Sequence, residues 1–293
     1  MKPTDRSKME LNRQFWDEVV PIHAKSALYD VPGFVAGRLS LDELERSEVG
    51  DVKGKTLLHL QCHFGLDTLS WVRLGAQATG IDYSPAAISA ARRLAEACSL
   101  SADFLCCNLY DLPQHLSRQF DIVFTSYGVL CWLPDLKEWA RIAASFVKPG
   151  GFFYIAEFHP FSYVFNDQSD TLQVRYPYFK RETTSFTEEG TYADREALVT
   201  NQTTEEWTYR LGDVVTALLD AGLQLEFLHE HPFTVYEQFP FLEKNAPERW
   251  RFPGNDEPIP LMFSLRAKKT SPLIGHQIPG EISATSAGVQ ARH

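Results

Sequence analysis

Long apolar runs are absent from this 293-residue sequence. No stretch approaches the ~20 apolar residues of a membrane span, and the N-terminal segment MKPTDRSKMELNRQFWDE lacks the apolar core of a signal peptide. Cysteines number five, an odd count, and none of them form a CxxC pair of the metal-binding type. Reduced thiols explain this pattern better than a disulfide framework does. We therefore expect a cytoplasmic protein without membrane contact and without a bound metal.

Clustered basic charge is also missing. The chain carries 28 lysines and arginines against 38 aspartates and glutamates, a net charge of −10, and its densest basic spots are the pairs Arg92-Arg93 and Lys268-Lys269. A protein that follows a phosphate backbone normally presents a basic face. The charge pattern therefore argues against nucleic acid and anionic membranes as partners, and it favours a small-molecule ligand.

What the sequence does contain is an alternation of short apolar runs with helical patterns. Such runs are typical of strands that are buried on both faces of a parallel sheet. Ser84 and Pro85 have the residue types of a helix N-cap and first helical position. The expected fold is α/β, with a doubly wound, mostly parallel sheet. The predicted core strands are Thr56–Leu60, Ala78–Asp82, Phe104–Cys107, Asp121–Thr125 and Phe152–Ala156.

The rest of the chain surrounds this core. Residues 1–50 have helical spacing, and we expect Pro21 and Pro32 to interrupt the helices. A segment rich in aromatic and polar residues follows the fifth strand and is expected to form an inserted cap. The predicted divisions are a helical segment covering the ligand site (1–50), the core (51–159), the cap (160–207), the C-terminal part of the core sheet (208–270) and a disordered tail (271–293).

Two features at predicted strand ends point to a binding site. The turn of residues 59–65, HLQCHFG, joins the first strand to a helix, and Asp82 ends the second strand. In doubly wound sheets, ligands bind outside the carboxyl ends of the strands. A carboxylate at that place can accept hydrogen bonds from both hydroxyls of a ribose. The alternative for Asp82 is a helix cap or a solvated loop acid.

At these motifs the chain resembles the class I S-adenosylmethionine-dependent methyltransferases. The resemblance is carried by GIDYSP at 80–85, CNLYDLP at 107–113, FDIV at 120–123 with LPD at 133–135, and the helix and KPGG turn of 136–151. The glycine-rich first motif is different here, since residues 58–65 keep only the final Gly65. More narrowly, residues 57–68, LLHLQCHFGLDT, are similar to the signature of a group of bacterial methyltransferases.

The resemblance implies S-adenosylmethionine as cofactor, S-adenosylhomocysteine as product and a Rossmann-like fold. It also assigns contacts by motif position, with His63 either turned away from the methionine moiety or in contact with it. The implied contacts are Gln61 and Gly65 with the methionine moiety, Asp82 with the ribose, Tyr83 with adenine, Asn108 and Leu109 with the adenine edge, and Ser126 and Tyr127 with the sulfonium.

Several of these residues have other possible roles. Core packing is an open alternative for Tyr83 and Tyr127, and a structural role is one for His63. Asp67 either reaches the cofactor's ammonium group or serves as a helix N-terminal acid.

Methyl transfer is a direct displacement, so the protein mainly supplies alignment and desolvation. A base is needed only where the acceptor loses a proton. The candidate bases are His23, Glu157 and His159, and the last two lie on one side of an extended strand. The alternative is a structural pair that caps a loop. Aromatic residues that either line an acceptor pocket or pack inside the cap are Trp16, Tyr29, Tyr176, Tyr178, Phe179 and Trp207.

The leading hypothesis is methyl transfer to a small-molecule acceptor. A nicotinamide-dependent oxidoreductase is a second hypothesis, but the turn of residues 61–65 lacks the GxGxxG pattern that seats a pyrophosphate. A third hypothesis is a regulatory protein that binds the cofactor without turnover, and the missing glycines are its support.

Overall fold

The computed structural model describes residues 2–179, 183–187, 189–245, 249–254 and 257–270. The tail predicted at 271–293 lies outside the described residues. The described helices are α1 (Pro3–His23), α2 (Val31–Val35), α3 (Glu43–Val49), α4 (Leu66–Arg73), α5 (Pro85–Ala97), α6 (Leu112–His115), α7 (Leu136–Phe146) and α8 (Leu211–Asp220). The strands are β1 (Thr56–Leu60), β2 (Gln77–Asp82), β3 (Asp103–Cys106), β4 (Phe120–Thr125), β5 (Val147–Phe158), β6 (Thr184–Thr187), β7 (Thr203–Glu206), β8 (Gln224–His231), β9 (Phe233–Thr234), β10 (Glu243–Asn245), β11 (Arg249–Arg251) and β12 (Met262–Lys268).

Seven strands form the central sheet in the order β3-β2-β1-β4-β5-β12-β8. Neighbours from β3 to β5 are parallel, whereas β12 runs antiparallel to both β5 and β8. The strand order reverses between β1 and β4, which is the switch point where ligands bind in such sheets. The prediction of a doubly wound, mostly parallel sheet is confirmed.

The sheet is covered on both faces because successive strand residues point to opposite sides. Leu58 packs towards Trp139 of α7 on one face. Leu57 and Phe124 pack towards Trp71 of α4 on the other face. Both tryptophans are fully buried. These two apolar layers fix the strand ends that carry the candidate site.

The starts of α5 and α7 follow the signals in the sequence. The Ser84 hydroxyl accepts a hydrogen bond from the backbone N–H of Ala87 at 3.0 Å. The Asp135 carboxylate accepts one from the N–H of Glu138 at the same distance. Both helices therefore begin with a side-chain N-cap that satisfies an otherwise unpaired donor.

The expectation that Pro21 and Pro32 interrupt helices is wrong. α1 continues through Pro21 to His23, and Pro32 lies in the first turn of α2. A proline removes one N–H and crowds the carbonyl four residues earlier, but it is tolerated in a first turn. Just beyond Pro21, the N–H of Ala24 still donates to the carbonyl of Val20 at 3.0 Å. The helix therefore loses one hydrogen bond and ends two residues later.

The cap segment is attached to α1. Its strands β6 and β7 pair antiparallel. The side-chain amide of Asn12 donates to the carbonyl of Glu205 at 2.7 Å and accepts the N–H of the same residue at 2.8 Å. Glu18 accepts the N–H groups of Thr200 and Asn201 at 2.6 and 2.9 Å. The N-terminal helix and the cap therefore hold each other in place.

Residues 208–270 contain one feature that the sequence analysis did not anticipate. β8 and β12 join the central sheet, but β9, β10 and β11 form a separate three-stranded sheet in the order β10-β11-β9. The predicted division of the chain into five segments stays a prediction.

Candidate active site

A cavity lies at the carboxyl ends of β1, β2 and β4, next to the switch point, and residues of α1 and the cap close it. About 860 Å³ within it is free of protein atoms, and part of this space is continuous with open solvent. The predicted site residues that line it are Gln61, His63, Asp82, Tyr83, Leu109 and Tyr127. Those outside its lining are His23, Gly65, Asn108, Ser126, Glu157 and His159.

The turn after β1 has left-handed backbone at each position where the resembled family has glycine. The φ angles are 56° at Gln61, 50° at His63 and 83° at Gly65. Residues other than glycine adopt this region at a cost of about 1–2 kcal/mol each. Gln61 and His63 therefore stand at left-handed positions and place two polar side chains at the cavity. Gln61 also ties the turn to the loop after β4, since its Nε2 donates to the carbonyl of Val129 at 3.1 Å.

Gly65 serves packing instead of the cavity. It precedes the first residue of α4. A Cβ added there would lie 2.9 Å from the Cβ of Ala91 and 2.9 Å from the ring of Phe104. Its close approach is therefore to Ala91 and Phe104, and its contact with the methionine moiety stays a prediction.

Asp82 connects the first two motifs. Its carboxylate accepts the backbone N–H of His63 at 2.8 Å and that of Ser84 at 2.9 Å. Burial raises its pKa to about 6 against the lowering effect of these hydrogen bonds. A carboxylate has about four acceptor positions, so acceptor capacity remains for a ligand. Asp82 lines the cavity. It caps a turn, and its remaining acceptor capacity also suits it to bind a ligand, so the two roles stated from the sequence are compatible.

Beside Asp82 the cavity is apolar. Tyr83 and Leu109 line it, and the Tyr83 hydroxyl donates to Glu10 of α1 at 3.2 Å. Asn108 is turned to its own backbone, since its side-chain oxygen accepts the N–H of Tyr110 at 3.0 Å. Tyr83 is therefore a cavity residue, and Asn108 caps the short 3₁₀ turn that presents Leu109.

The loop after β4 separates two of the predicted residues. The Ser126 hydroxyl donates to Asp67 at 3.2 Å, and Asp67 also accepts the hydroxyl of Ser40 at 2.6 Å. Burial raises the pKa of Asp67. Neither Ser126 nor Asp67 is among the residues that line the cavity. Through its hydrogen bond with Ser126, Asp67 joins the start of α4 to the loop after β4. Tyr127 does line the cavity.

Behind Tyr127 lies a buried acid. Glu45 of α3 is fully buried, and the Tyr127 hydroxyl is the side-chain group that interacts with its carboxyl. Burial, followed by the charge of Asp67, raises the pKa of Glu45 to about 8. At neutral pH this carboxyl is therefore mostly protonated.

Glu157 holds the loop that forms one wall of the cavity. Its carboxylate accepts four backbone N–H groups, those of Gly128, Val129 and Leu130 at 2.5, 2.8 and 3.2 Å and that of Phe158 at 2.7 Å. Burial nevertheless raises its pKa. A carboxylate that is fully engaged with backbone donors is poorly placed to take a proton from a ligand. These contacts favour the alternative stated from the sequence, a structural role in capping a loop, and the catalytic role of Glu157 stays a prediction.

His159 also lies away from the cavity lining. Its Nε2 is 2.9 Å from Glu230, and its Nδ1 accepts the N–H of Phe161 at 3.1 Å. The ring is buried, and this desolvation lowers its pKa although Glu230 raises it. These contacts favour a structural role for His159 at the end of β5, where it pairs with Glu230 and not with Glu157, and its role as a base stays a prediction.

His23 and His63 form a contact that the sequence analysis did not foresee. Nδ1 of His23 lies 3.1 Å from Nε2 of His63, and the rings meet edge to face. His23 is fully buried and stacks on Tyr29, while Tyr192 of the cap packs against its edge. Burial lowers the pKa of His23 to about 4 and, with His23 as a lesser cause, lowers that of His63. Both imidazoles are therefore neutral at pH 7.

Several lining residues were missed from the sequence. Met9, Asn12 and Arg13 of α1 line the cavity beside Trp16, and their spacing of one to four residues along the helix is the signal that could have found them. Trp132 and Tyr192 lack such a signal because they come from a loop and the cap. Of the aromatic residues named as pocket candidates, Trp16 and Tyr29 line the cavity, whereas Tyr176, Tyr178, Phe179 and Trp207 do not.

The donor and acceptor set of the cavity fits a nucleoside with a sulfonium side chain. Asp82 offers acceptor positions for a ribose, and the buried Gln61 Oε1 lacks a partner among the described residues. Aromatic rings suit a sulfonium because their faces attract cations. No group of three or more histidine, cysteine or acidic side chains suited to a metal occurs among the described residues. None of the helices in the described part of the chain is long and apolar enough to cross a membrane.

Comparisons with known proteins agree with this architecture. Residues 58–153 match the family described as a methyltransferase domain. A ubiquinone biosynthesis O-methyltransferase of Nitrobacter winogradskyi is 30% identical over 154 residues, which are 50% of this chain and 58% of that protein. The chain thus spans little more than half the length of the curated relatives it matches.

Solved structures share the fold across most of the chain. An S-adenosylmethionine-dependent methyltransferase from Mesorhizobium loti has a TM-score of 0.56 at 19% identity and covers 80% of this chain and 99% of its own. DhpI in complex with SAH has a TM-score of 0.53 at 15% identity and covers 90% of this chain and 98% of its own.

Proposed function

We propose that this chain is a class I S-adenosylmethionine-dependent methyltransferase that transfers a methyl group from S-adenosylmethionine to a small-molecule acceptor. The methyltransferase domain matched at residues 58–153 and the fold shared with solved methyltransferases support this proposal. S-adenosylhomocysteine is then the product. The relative named above is an O-methyltransferase, which favours oxygen as the accepting atom.

One observation supports this proposal above the others, namely that Asp82 lines the cavity with acceptor capacity to spare. The residue ends β2 and is held by the N–H groups of His63 and Ser84. Charged acceptors bind hydroxyl groups more strongly than neutral ones do. Its place at the switch point, between the turn after β1 and α1, is where a ribose would reach both carboxylate oxygens.

The other contacts follow from the chemistry of the lining. Tyr83, Leu109 and Met9 offer an apolar surface for adenine. Gln61 Oε1 is a buried acceptor without a partner among the described residues, and it suits the ammonium of the methionine moiety. This assignment gives the non-glycine residue at position 61 a reason to tolerate its left-handed backbone.

The bound cofactor supplies an electrophilic methyl group on a sulfonium. The protein's part is to align the acceptor with that group and to exclude water. Trp16 and Trp132 meet edge to face at a ring distance of 5.4 Å and wall the cavity on the side of α1. Glu157 keeps the loop after β4 in place by accepting the N–H groups of residues 128–130.

The charges at the cavity favour a small, uncharged acceptor. Arg13 lines the cavity, but its guanidinium pairs with Glu10 at 2.5 Å and with Asp17. An anionic acceptor would therefore lack a free cation at this residue. The absence of a nucleic-acid partner and a cytoplasmic location stay predictions of the sequence.

Calorimetry with the purified protein tests the proposal. S-adenosylmethionine and S-adenosylhomocysteine are expected to bind with one site per chain, and NAD is expected not to bind. Methyl transfer to an acceptor panel is then followed by the release of S-adenosylhomocysteine. Absence of binding by either sulfur nucleoside would overturn the proposal, and binding without turnover on any acceptor would support the regulatory alternative.

A further inference from the structure

His63 lines the cavity, and one of its two ring nitrogens is available to a ligand. Its Nε2 faces His23, and no described residue bonds its Nδ1. Among the other titratable lining residues, Asp82 is held by two backbone donors, and Arg13 is paired with two acids. Burial raises the pKa of Cys107 to about 12, so this thiol stays protonated.

His23 fixes how His63 is presented. It is fully buried, its Nε2 has no partner among the described residues, and its Nδ1 is the atom that faces His63. Two tautomer arrangements satisfy one hydrogen bond between the rings. If the hydrogen is on Nε2 of His63, the Nδ1 of His63 is a free acceptor towards the cavity.

The tyrosine hydroxyls around this pair are not suited to act as the base. The Tyr29 and Tyr192 hydroxyls contact each other, and that of Tyr192 lies 3.5 Å from Nδ1 of His23. Burial raises the pKa of Tyr29 and raises that of Tyr192 to about 12. Both side chains therefore remain phenols at neutral pH, and the imidazoles are the proton acceptors of this wall.

Aromatic residues line the cavity beside His63. Trp16 lies edge to face with both His63 and Trp132, at ring distances of 5.3 and 5.4 Å, and Tyr192 is 6.5 Å from Trp16. Aromatic walls favour offset or edge contacts with another aromatic ring. The guanidinium of Arg13 is already paired with Glu10 and Asp17, so it is not free to bind an anionic substituent of such a ring.

We propose that His63 is the catalytic base of the methyl transfer, that His23 positions it, and that the acceptor is an uncharged phenol held between Trp16, Trp132 and Tyr192. This inference rests on the proposed function. In the step, the acceptor O–H bond breaks and its proton moves to Nδ1 of His63, while the oxygen forms the new O–CH₃ bond. The S–CH₃ bond breaks and its electron pair stays on the sulfur. The imidazolium then releases its proton to water.

Charge and acidity both favour a phenol. The positive charge that disappears from the sulfonium reappears on His63, so the net charge of the cavity is unchanged during the step. A buried imidazole with a lowered pKa is a weak base. A phenol, with a pKa of about 10, is acidic enough for such a base, whereas an aliphatic alcohol is far less acidic.

The first experiment compares acceptors of graded acidity. Probes are para-substituted phenols, including 4-nitrophenol, with benzyl alcohol and benzylamine as non-phenolic rings. Binding is measured by calorimetry with S-adenosylhomocysteine present, and turnover is measured with S-adenosylmethionine. Phenols are expected to bind and react, and the two other rings are not expected to react. Turnover of benzyl alcohol or benzylamine in preference to phenols would overturn the substrate class.

The second experiment removes the base. His63→Gln is expected to lower kcat about 100-fold or more for phenol, with affinity for S-adenosylhomocysteine unchanged. The loss is expected to shrink for 4-nitrophenol above its own pKa, since an ionised phenol needs no base. An equal loss on all phenols, or none, would contradict the assignment. His115→Gln, an exposed histidine of α6, is the matched control.

Nuclear magnetic resonance of ring-labelled histidines gives a readout that is independent of turnover. The ring nitrogen shifts are expected to show His63 neutral at pH 7 with its hydrogen on Nε2, and His23→Phe is expected to abolish this preference while lowering kcat. A hydrogen on Nδ1 of His63 would overturn the role as base. Failure of S-adenosylhomocysteine to bind the wild type would instead overturn the proposed function.

Discussion

The carboxylate of Asp82 accepts the backbone N–H of His63 at 2.8 Å, so the acid of the second motif holds the turn of the first. His63 lies in the turn after β1, and Asp82 ends the neighbouring strand β2, so the two residues are 19 positions apart in the chain. This contact makes the ligand acceptor and the left-handed turn depend on each other. Changes at Asp82 are therefore expected to affect both binding and turn geometry.

Asp82→Asn is expected to weaken binding of S-adenosylhomocysteine by about 1–3 kcal/mol, because a charged acceptor is lost and the amide can accept only on its oxygen. Calorimetry measures the affinity, and a thermal melt measures stability in parallel. Asp103→Asn is the matched control, since Asp103 ends no turn and pairs with Arg118 on the surface. Equal affinity in both variants would remove Asp82 from the site.

Glu45→Gln is expected to stabilise the protein at alkaline pH. The pKa of Glu45 is raised to about 8 in the folded chain, so folding favours its protonated form. The wild type is fully stabilised by this group below about pH 4.5 and loses that contribution as the pH rises through about 8, by about 5 kcal/mol at most. The glutamine does not titrate, so the variant's advantage should appear only as the pH rises.

Melting temperatures of the two proteins across this pH window test the expectation. Glu43→Gln changes an exposed acid of the same helix and serves as control. A constant difference between Glu45→Gln and the wild type at every pH would show that Glu45 titrates as an ordinary glutamate.

Glu157→Gln is expected to lower the stability of the protein, and any effect on turnover is expected to follow from that loss. The amide group of glutamine would face backbone N–H donors that the carboxylate now accepts, so about 2–4 kcal/mol of unfolding free energy is expected to be lost. Chemical denaturation measures this loss, and cofactor affinity is expected to fall with it because Gly128 and Val129 line the cavity. Full stability combined with a large fall in kcat would restore Glu157 as a base.

Asn12→Ala is expected to loosen the cap. The variant loses both hydrogen bonds to Glu205, about 1–3 kcal/mol. Hydrogen exchange at the amide of Glu205 is expected to accelerate, whereas exchange in β1 and β4 is expected to stay slow. Gln14→Ala, on the exposed side of α1, provides the comparison. If both variants exchange alike, Asn12 does not hold the cap.

Gly65→Ala is expected to destabilise the core by about 2–4 kcal/mol, since the methyl group would meet Ala91 and Phe104 and the φ of 83° disfavours alanine. Gly212→Ala in α8 has open space at its Cβ and is expected to be neutral or slightly stabilising. Denaturant unfolding separates the two. Similar stabilities would show that the turn relaxes around the new methyl group.

Local patterns were sufficient to predict the core from the sequence. β1 begins and ends where its apolar run does, and the caps at Ser84 and Asp135 lie where serine and aspartate precede helical spacing. These features depend on residues that are close in the chain, so the sequence displays them. Asp82 was placed correctly at a strand end for the same reason.

The rest depended on contacts between distant residues. The pairing of His23 with His63 spans 40 positions and that of His159 with Glu230 spans 71, and neither leaves a periodic signal. The sequence left Glu157 open between a base and a structural role because the choice depends on the path of the loop after β4. A carboxylate at a strand end looks the same in sequence whether it faces a ligand or four backbone donors.

The position of β12 has a consequence for the order in which the chain can fold during synthesis. β8 pairs with β12 alone among the described strands of the sheet. Residues 224–231 leave the ribosome before residues 262–268, so a nascent chain must hold β8 unpaired until β12 arrives and bonds to β5 as well. The parallel strands at the switch point have all been synthesised by then, which allows the cofactor end of the sheet to form first.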